Sequence, residues 1–349
     1  MSGGAGTPNF ARRRETTSMS SAGTVLVTGA TGFVGSVLTR QLVDEGRDVR
    51  VFRRDTSSLN LLGVYAERVD HAVGDVTRAR SLYEAMQGVE RVYHVAAKVS
   101  FAPGEQEALR HVNADGTANV VNAALRAGVR RLVHTSSMAA FGRPEEPGSA
   151  IDETTEWQGA PHRSAYARSK RRAELEVHRG IAEGLDATLV NPSLVFGVGG
   201  PDTNTRRIVD AVRSGWLPAV PPGGTNVVDV RDVAAGLRAA MEHGETGRRY
   251  FLGGENLSWK SLTGTLAEAF GVDPPRRTVP GWLLTAGGVV AEGLSLITRT
   301  RPFLTRSTAR TASRTYRYDN TRARQELDCT FRSFEKTAFH IAGELSGET

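Results

Sequence analysis

An apolar run that breaks into regularly spaced glycines constrains the fold more than any other feature of this chain. Residues 25–35 read VLVTGATGFVG, so a β-branched strand leads directly into a glycine turn and the start of a helix. Gly29 permits a tight turn, Gly32 lets a ligand approach the backbone, and Gly35 lets helix and strand pack closely. This unit is typical of chains that bind a dinucleotide pyrophosphate at a helix N-terminus.

Short β-branched runs alternate with helical stretches through the first half of the chain. The predicted strands are residues 24–28, 49–52, 68–73, 91–95, 131–136 and 187–191. The predicted helices are residues 32–45, 78–86, 106–127 and 164–183. This alternation is the signature of βαβ units. We therefore predict an α/β fold, a doubly wound parallel sheet (Rossmann fold) with a smaller C-terminal substrate lobe.

Changes in composition and in the alternation of strands and helices divide the chain into three parts. Residues 1–22 are rich in Gly, Ser, Thr and Arg and predict a disordered tail, within which Met19 is an alternative start. Residues 23–192 form the predicted nucleotide-binding Rossmann domain. Beyond it Pro and Gly become frequent, and residues 193–335 form the predicted substrate lobe. We expect parts of residues 227–253 to return to the main sheet.

Composition narrows the classes of function. The single cysteine, Cys329, excludes an intramolecular disulfide framework and fits a reducing, cytoplasmic compartment. No Cys/His cluster has metal-ligand spacing, so no metal site is predicted. The formal net charge of +6 favours anionic ligands. No basic stripe carries interleaved aromatic residues, so no nucleic-acid partner is expected.

One long apolar stretch, residues 279–298, bears on membrane contact. Glycines and Glu292 interrupt it, so it predicts a helix of the substrate lobe and no stable membrane insertion. Contact with a membrane surface is an alternative interpretation.

The predicted substrate lobe offers apolar and basic candidates for ligand contact. Phe196, Trp216, Trp282 and residues 289–297 suggest a partly hydrophobic pocket for a small-molecule substrate, or ordinary core. The arginines that could meet an anionic group, or be solvated, are Arg206, Arg207 and Arg231.

The end of the second predicted strand bears on the choice of cofactor. An NAD enzyme usually has an acid there, which accepts a hydrogen bond from the adenosine ribose. Here the strand runs into Arg53 and Arg54, and Asp55 follows too late. Two guanidinium groups suit a 2′-phosphate, although they could also be solvated surface arginines. We predict NADP, with NAD as the alternative.

Small and acidic residues follow the next two strands. Asp75, beside Val76, could accept a hydrogen bond from the adenine amino group or cap a helix. Ala96 and Ala97 end the fourth strand and let the backbone run beside the cofactor.

A phenol and an ammonium group four residues apart indicate the chemistry. Tyr166 and Lys170 lie in a predicted helix and share one face of it. The ammonium and a positively charged nicotinamide would lower the pKa of the phenol and make it a usable acid or base. Ser137 follows the fifth strand and would donate a hydrogen bond to the substrate oxygen, and we prefer it to Ser136. Alone, the Tyr–Lys spacing occurs often by chance, but here it follows a nucleotide turn.

These motifs together resemble a known superfamily over about residues 25–327. The pieces are TGATGFVG, GDV, HVAA, VNADGTANVVNAA, HTSSMAAFG, YARSK, NPSLVFG, NVVDVRDVAAG and YFLGGENLS. They resemble the extended short-chain dehydrogenases/reductases, the NAD(P)-dependent epimerase/dehydratase superfamily. The last three pieces are most similar to its dihydroflavonol-4-reductase-like branch.

The resemblance implies roles for particular residues. Ser137, Tyr166 and Lys170 would form a catalytic triad, and Asn113 would support the site. The residues implied or predicted to bind the cofactor are Gly29, Thr31, Gly32, Phe33, Val34, Arg54, Asp75, Val76, Ala96, Ala97, Lys98, Tyr166, Lys170, Pro192 and Val195. The resemblance also implies a homodimer through helices 106–127 and 163–183.

Three functions remain open at this point. The first is an NADP-dependent oxidoreductase acting on a ketone, an aldehyde or a secondary alcohol. The second is a nucleotide-sugar epimerase, which Phe141 disfavours because such enzymes usually have a tyrosine there. The third is a nucleotide-binding sensor without turnover, against which the intact triad argues. Met138 and Ala139 replace the acidic pair of sugar-nucleotide 4,6-dehydratases, so elimination chemistry is disfavoured.

Overall fold

A computed structural model gives the fold of most of the chain. The residues it describes are 23–144, 146, 148–158, 164–200, 203–215, 217, 219–298 and 305–347, with backbone alone for 293–298. The predicted tail at 1–22 and Trp216 lie outside the described residues.

Seven of the twelve strands in the described part of the chain form a parallel central sheet. The strands in chain order are β1 (Thr24–Thr28), β2 (Val49–Arg53), β3 (Asp70–Val73), β4 (Val89–His94), β5 (Arg131–Thr135), β6 (Ala187–Pro192), β7 (Leu194–Phe196), β8 (Ala219–Val220), β9 (Gly224–Asp229), β10 (Arg249–Leu252), β11 (Glu255–Ser258) and β12 (Arg277–Thr278). The sheet has the order β10-β6-β5-β4-β1-β2-β3, and every neighbouring pair is parallel. The predicted doubly wound parallel sheet is confirmed.

Helices follow most of these strands and cover both faces of the sheet. In chain order they are α1 (Phe33–Asp44), α2 (Ala79–Ala85), α3 (Gln106–Leu109), α4 (Gly116–Ala127), α5 (Ala165–Ala182), α6 (Asn204–Arg213), α7 (Val230–His243), α8 (Trp259–Phe270), α9 (Gly281–Thr298), α10 (Arg306–Ala312), α11 (Thr321–Glu326) and α12 (Phe334–Ser346). Short 3₁₀ turns occupy Gly63–Arg68 and Met138–Ala140.

The fourth strand begins at Val89, two residues earlier than predicted, and two further elements also differ from the structure. The third strand begins at Asp70 rather than residue 68, because the preceding residues form a 3₁₀ turn. The helix predicted over 106–127 contains a π-helical segment, Arg110–Asp115, between α3 and α4. A π turn widens the helix by one residue and often marks a functional site.

The core consists of two apolar layers, one on each face of the sheet. Val25 and Val27 join the layer that includes α1 and α7, whereas Leu26 joins the layer under α2, α4 and α5. Successive side chains of a strand point to opposite faces, so a strand covered on both sides is apolar throughout. The β-branched runs in the sequence therefore reflect burial on both faces.

A smaller set of strands builds the second lobe. The strand β9 pairs antiparallel with β11 and parallel with β7 in a three-stranded sheet. Within residues 227–253, only β10 joins the main sheet, beside β6. The helix α12 packs against α8 and extends past residue 335. None of the helices in the described part of the chain is long and apolar enough to span a bilayer.

Two buried histidines lie side by side in the middle of the main sheet. The rings of His94 (β4) and His134 (β5) are 5.1 Å apart. Hydroxyl groups of Thr28 and Thr117 pair with the two ring nitrogens of His94 at 2.8 and 3.0 Å. Within the described residues neither ring nitrogen of His134 has a hydrogen-bond partner. Burial, with the nearby Lys170 charge, lowers the pKa of His94 to about 3 and holds that of His134 well below its usual range.

These histidines predict acid lability. Below a pH of about 6.5 the histidines of the unfolded chain bind protons that those of the folded chain do not. The free energy of unfolding therefore decreases as the pH is lowered. Each histidine contributes up to about 1.4 kcal/mol per pH unit. We expect His134→Leu to flatten this dependence between about pH 6.5 and 5 in urea unfolding, because it removes one of the histidines that take up a proton on unfolding. The exposed His111→Gln is the control. An equal slope in His134→Leu and the unsubstituted protein would contradict the assignment.

Candidate functional site

The carboxyl ends of neighbouring strands meet in backbone contact at the glycine turn. Gly29 follows β1 with a φ of +72°, a conformation that favours glycine. A Cβ there would lie 2.6 Å from the Ala96 nitrogen, where the chain leaves β4. The Ala96 and Val95 amides donate to the hydroxyl and carbonyl of Thr28, each at 3.2 Å. The turn is therefore held against the end of β4.

The first turn of α1 presents free amides beside this turn. Gly32 is its N-cap residue, is exposed, and supplies no side-chain cap. A Cβ on Gly35 would lie 2.1 Å from the Gly29 carbonyl oxygen, whereas one on Gly32 would meet that oxygen only at 3.3 Å. Close packing thus requires glycine at position 35. At position 32 the protein itself leaves room, and an uncapped helix N-terminus attracts anions.

The residues around the start of α1 join it to the second lobe. Thr31, Phe33 and Val34 are each half-buried. The Phe33 ring packs against Gly197 and Gly199, where a Cβ on Gly199 would lie 2.4 Å from the ring. The loop after β7 therefore packs on the ring of Phe33, which is the first residue of α1.

The two arginines after β2 have different surroundings. The Arg53 guanidinium donates to the His71 ring at 3.0 Å and to the Arg54 carbonyl at 3.2 Å. Arg54 is exposed and, within the described residues, its guanidinium has no hydrogen bond or ion pair. The positive charge of Arg54 is one of the causes that lower the pKa of Asp75. Arg54 is therefore the guanidinium available to an anionic ligand.

Asp75 organises the turn after β3. Its carboxylate accepts hydrogen bonds from the amide and hydroxyl of Thr77 at 2.9 and 2.8 Å. Although partial burial opposes it, these bonds and the charges of Arg54 and Arg78 lower the pKa of Asp75. The helix-cap alternative is wrong, because the N-cap residue of α2 is Arg78. Val76 is buried, and its carbonyl accepts from the Asn119 side chain at 3.0 Å.

One amide braces the loop after β4 and the helix α5. The Asn113 side chain accepts from the Lys98 amide at 2.7 Å and donates to the Lys98 carbonyl at 2.9 Å. It also donates to the Ser169 hydroxyl, which in turn bonds the Tyr166 carbonyl. The π-helical segment brings Asn113 to this position. Asn113 therefore fixes the backbone of Lys98 and not its side chain. The Lys98 ammonium instead forms an ion pair with Glu105.

Tyr166 and Ser137 lie together at this edge of the sheet. Ser137 follows β5, and its side chain pairs with the Tyr166 phenol closely enough to exert a lowering effect on the pKa of that phenol. Tyr166 is 9% exposed. Burial raises its pKa, and the pairing with Ser137 opposes that rise. The protein groups alone therefore do not give the lowered pKa that the sequence predicts.

Lys170 lies one turn further along α5 and is fixed to the same strand. Its ammonium donates to the Thr135 carbonyl at 2.7 Å, and the side chain is 2% exposed. Burial lowers the pKa of Lys170 to about 8, and Glu174 opposes that shift. The structure thus brings Ser137, Tyr166 and Lys170 together at the end of β5.

A buried carboxylate behind this group went unnoticed in the sequence. Glu174 is fully buried and accepts hydrogen bonds from the Ser136 hydroxyl and the Asn191 amide, each at 2.7 Å. Arg171 lies 3.1 Å and Arg249 3.7 Å from its other oxygen. Its spacing four residues after Lys170 was the available signal, since both face the sheet.

Glu174 acts on the site through its partners. The Asn191 amide also donates to the Ser137 carbonyl at 3.0 Å, so one network fixes the chain on both sides of that serine. A buried carboxylate needs such partners, because an unpaired charge costs several kcal/mol there (about 3–5 when one partner is removed).

The remaining predicted cofactor residues lie at the boundary between the lobes. Pro192 ends β6 and is buried, and the half-buried Val195 pairs with Val228 of β9. Ala97 is exposed on the loop after β4. Phe101 of that loop was also missed, and its ring lies edge-on to Tyr166 at 5.6 Å with 36% exposure.

Several other candidates lie elsewhere. Phe141 and Phe196 are core residues, each fully buried. Arg206 pairs with Asp210, and Arg231 pairs with Asp229. Trp282 lies on α9 and is 73% exposed, so its side chain is on the surface and not in a buried pocket.

Comparisons with known proteins identify the family of the chain. The sequence matches the description of the NAD dependent epimerase/dehydratase family over residues 25–253. Sterol demethylase protein B of Methylococcus capsulatus is 36% identical over 87% of this chain and 92% of that protein. A Synechocystis protein that carries the name of a dihydroflavonol 4-reductase is also 36% identical, over 86% of this chain and 88% of that protein.

A solved structure shows the same fold. The crystal structure of gox2253 has a TM-score of 0.82 and 33% identity, and the match covers 93% of this chain and 98% of that one. The chain therefore belongs to the NAD dependent epimerase/dehydratase family of extended short-chain dehydrogenases/reductases, and it is a nicotinamide-dinucleotide-dependent oxidoreductase.

Proposed function

We propose that this protein is an NADP-dependent oxidoreductase that reduces a ketone or an aldehyde, or oxidises a secondary alcohol, with Ser137, Tyr166 and Lys170 as its catalytic residues. The observation that carries the proposal is that α5 brings Tyr166 and Lys170 to the end of β5, where the Lys170 ammonium donates to the Thr135 carbonyl at 2.7 Å and Ser137 follows two residues later. These groups lie at the carboxyl ends of the strands, next to the glycine turn. The Synechocystis relative named for a reductase supports this direction.

The residues around the glycine turn fit a dinucleotide phosphate. The N-terminus of α1 has no side-chain cap, and Gly32 leaves space in front of it. Arg54 is exposed, and its guanidinium is free among the described residues. An uncapped helix N-terminus suits the pyrophosphate, and a guanidinium suits a 2′-phosphate.

The triad residues have complementary tasks at the substrate oxygen. A bound nicotinamide supplies or accepts the hydride. Tyr166 gives or takes the proton of the alcohol oxygen, and the Ser137 hydroxyl donates to that oxygen and orients it. Lys170 has a pKa of about 8 and is mostly charged near neutral pH, and together with a bound positively charged nicotinamide it would favour the tyrosinate. The Thr135 carbonyl keeps Lys170 in place.

The substrate side of Tyr166 is apolar. The Phe101 ring contacts the Tyr166 ring edge-on, and Phe101 itself is 36% exposed. Met138, adjacent to Ser137, is half-buried and cannot serve as an acid. These residues support a carbonyl substrate with an apolar substituent and disfavour elimination chemistry.

We further infer a homodimer through helices 106–127 and 163–183. Leu175 of α5 is 52% exposed in a single chain and would be covered in such a dimer.

The first prediction separates two glycines of the nucleotide turn. Gly35→Ala should lower the free energy of unfolding by about 1–3 kcal/mol, because its Cβ would collide with the Gly29 carbonyl. Gly32→Ala should lower the free energy of unfolding less than Gly35→Ala does but weaken NADPH binding at least about tenfold, since the methyl group would fill the phosphate space. Thermal unfolding and fluorescence titration measure both. Normal NADPH binding by Gly32→Ala would contradict the site.

The second prediction concerns the choice between NADP and NAD. Arg54→Gln should raise the Kd for NADPH about 10- to 100-fold, the worth of a charge-assisted hydrogen bond, and leave NADH binding nearly unchanged. Arg53→Gln is the matched control and should do less, because Arg53 is engaged with His71. A preference of the unsubstituted protein for NADH would overturn the assignment.

The third prediction tests the acid–base residue. Tyr166→Phe should bind NADPH normally and lose about 10²- to 10⁴-fold in kcat, because only the phenolic proton is removed. Tyr65→Phe, far from the site on the 3₁₀ turn, is the control. A screen of carbonyl compounds and nucleotide sugars supplies the substrate. Turnover without net NADPH consumption would favour the epimerase, and full activity of Tyr166→Phe would exclude the proposed role.

A further inference from the structure

The helices α9 and α10 form an antiparallel hairpin with one closely packed face. A Cβ on Gly288 would lie 2.8–2.9 Å from the backbone of Thr305 and Arg306, and one on Gly281 would lie 3.0 Å from Ser313. The Glu292 carboxylate accepts from the Arg306 amide at 2.7 Å. Positions 281, 288 and 292 share one face of α9, so this face is directed at α10.

The opposite face of α9 is apolar and exposed. Trp282 is 73%, Leu283 48%, Val289 41% and Val290 62% exposed. Ala286 and Gly287 between them are also exposed. Over residues 282–290 this outward face carries no charged side chain. Soluble proteins rarely leave such a continuous apolar strip uncovered without an interaction partner.

The positive charge of the whole chain is concentrated in the same segment. Residues 274–318 contain eight arginines and one acidic residue, Glu292, a formal charge of +7. The whole chain carries +6, so the rest sums to −1. Arg306, Arg310 and Arg314 follow each other at intervals of four along α10 and just beyond it, and all three are exposed. Within the described residues none of them has an ion pair.

This combination matches one partner better than any other. Helices that lie in the plane of a membrane combine an apolar face that includes aromatic residues with nearby basic residues. Here α9 supplies the apolar strip with its tryptophan, and α10 and the residues after it supply the arginines. Anionic lipid headgroups attract each nearby arginine and raise binding about fivefold. A second copy fits less well, because a symmetric contact would bring two identical +7 segments together. We propose that the α9–α10 hairpin is a peripheral docking surface for an anionic lipid bilayer, with the outward face of α9 in the headgroup region.

Vesicle sedimentation tests this surface independently of enzyme activity. The full chain is mixed with vesicles of phosphatidylcholine alone or with added phosphatidylglycerol. We expect binding to the mixed vesicles, weaker binding to phosphatidylcholine, and loss of binding as salt concentration rises. Absence of binding to the mixed vesicles overturns the proposal.

Two sets of variants divide the apolar from the charged contribution. Val290→Glu and Leu283→Glu should each lower binding at least about tenfold, because they place a carboxylate in the apolar strip. Arg310→Gln with Arg314→Gln should lower it about 25-fold, at about fivefold per arginine. Val64→Glu is the matched control, since Val64 is 77% exposed outside the hairpin. All these side chains are exposed, so melting temperatures should stay unchanged.

Two further outcomes also decide the matter. If the arginine variants reduce binding and the Val290 and Leu283 variants do not, the attraction is only electrostatic, and α9 is not the docking face. If Val290→Glu lowers the oligomeric state in sedimentation velocity and leaves vesicle binding unchanged, the face is a contact between copies of this chain. Either result overturns the proposal.

Discussion

The site depends on a close approach between three pieces of backbone. The turn after β1, the first residues of α1 and the end of β4 meet at Gly29 and Gly35, where a Cβ would lie 2.1–2.6 Å from a backbone atom. Because no side chain fits there, the N-terminus of α1 reaches the carboxyl edge of the sheet with its amides uncovered.

The catalytic group depends on a second network that lies beneath the surface. The helix α5 carries Tyr166, Lys170 and Glu174 on one face, and each contacts the chain at or just after the end of β5. The phenol pairs with Ser137 and the ammonium with the Thr135 carbonyl, whereas the carboxylate binds Ser136 and Asn191 in the interior. The position of Ser137 therefore follows from hydrogen bonds made by its neighbours on both sides.

Local patterns predicted much of this arrangement. The β-branched runs gave the strands because both faces of the sheet are buried, and the glycine spacing indicated the turn because only glycine fits there. Contacts between distant segments were not predictable. Glu174, His134 and Phe101 acquire their surroundings only when β4, β5 and α5 come together, and the engagement of Arg53 with His71 depends on the register of β2 and β3. The direction of the Tyr166 pKa shift likewise required knowledge of its burial.

The π-helical segment at Arg110–Asp115 has a consequence for how this site arose. A π turn contains one residue more than the α-helical turn it replaces, so it is equivalent to a single inserted residue. Such an insertion turns the preceding stretch of the helix by about 100° relative to the following stretch. The bracing of Lys98 and Ser169 by Asn113 is thus within reach of a single-codon insertion into an ordinary helix. Loss of one codon in this segment would restore α geometry and separate the loop from α5 while leaving α4 in register with the sheet.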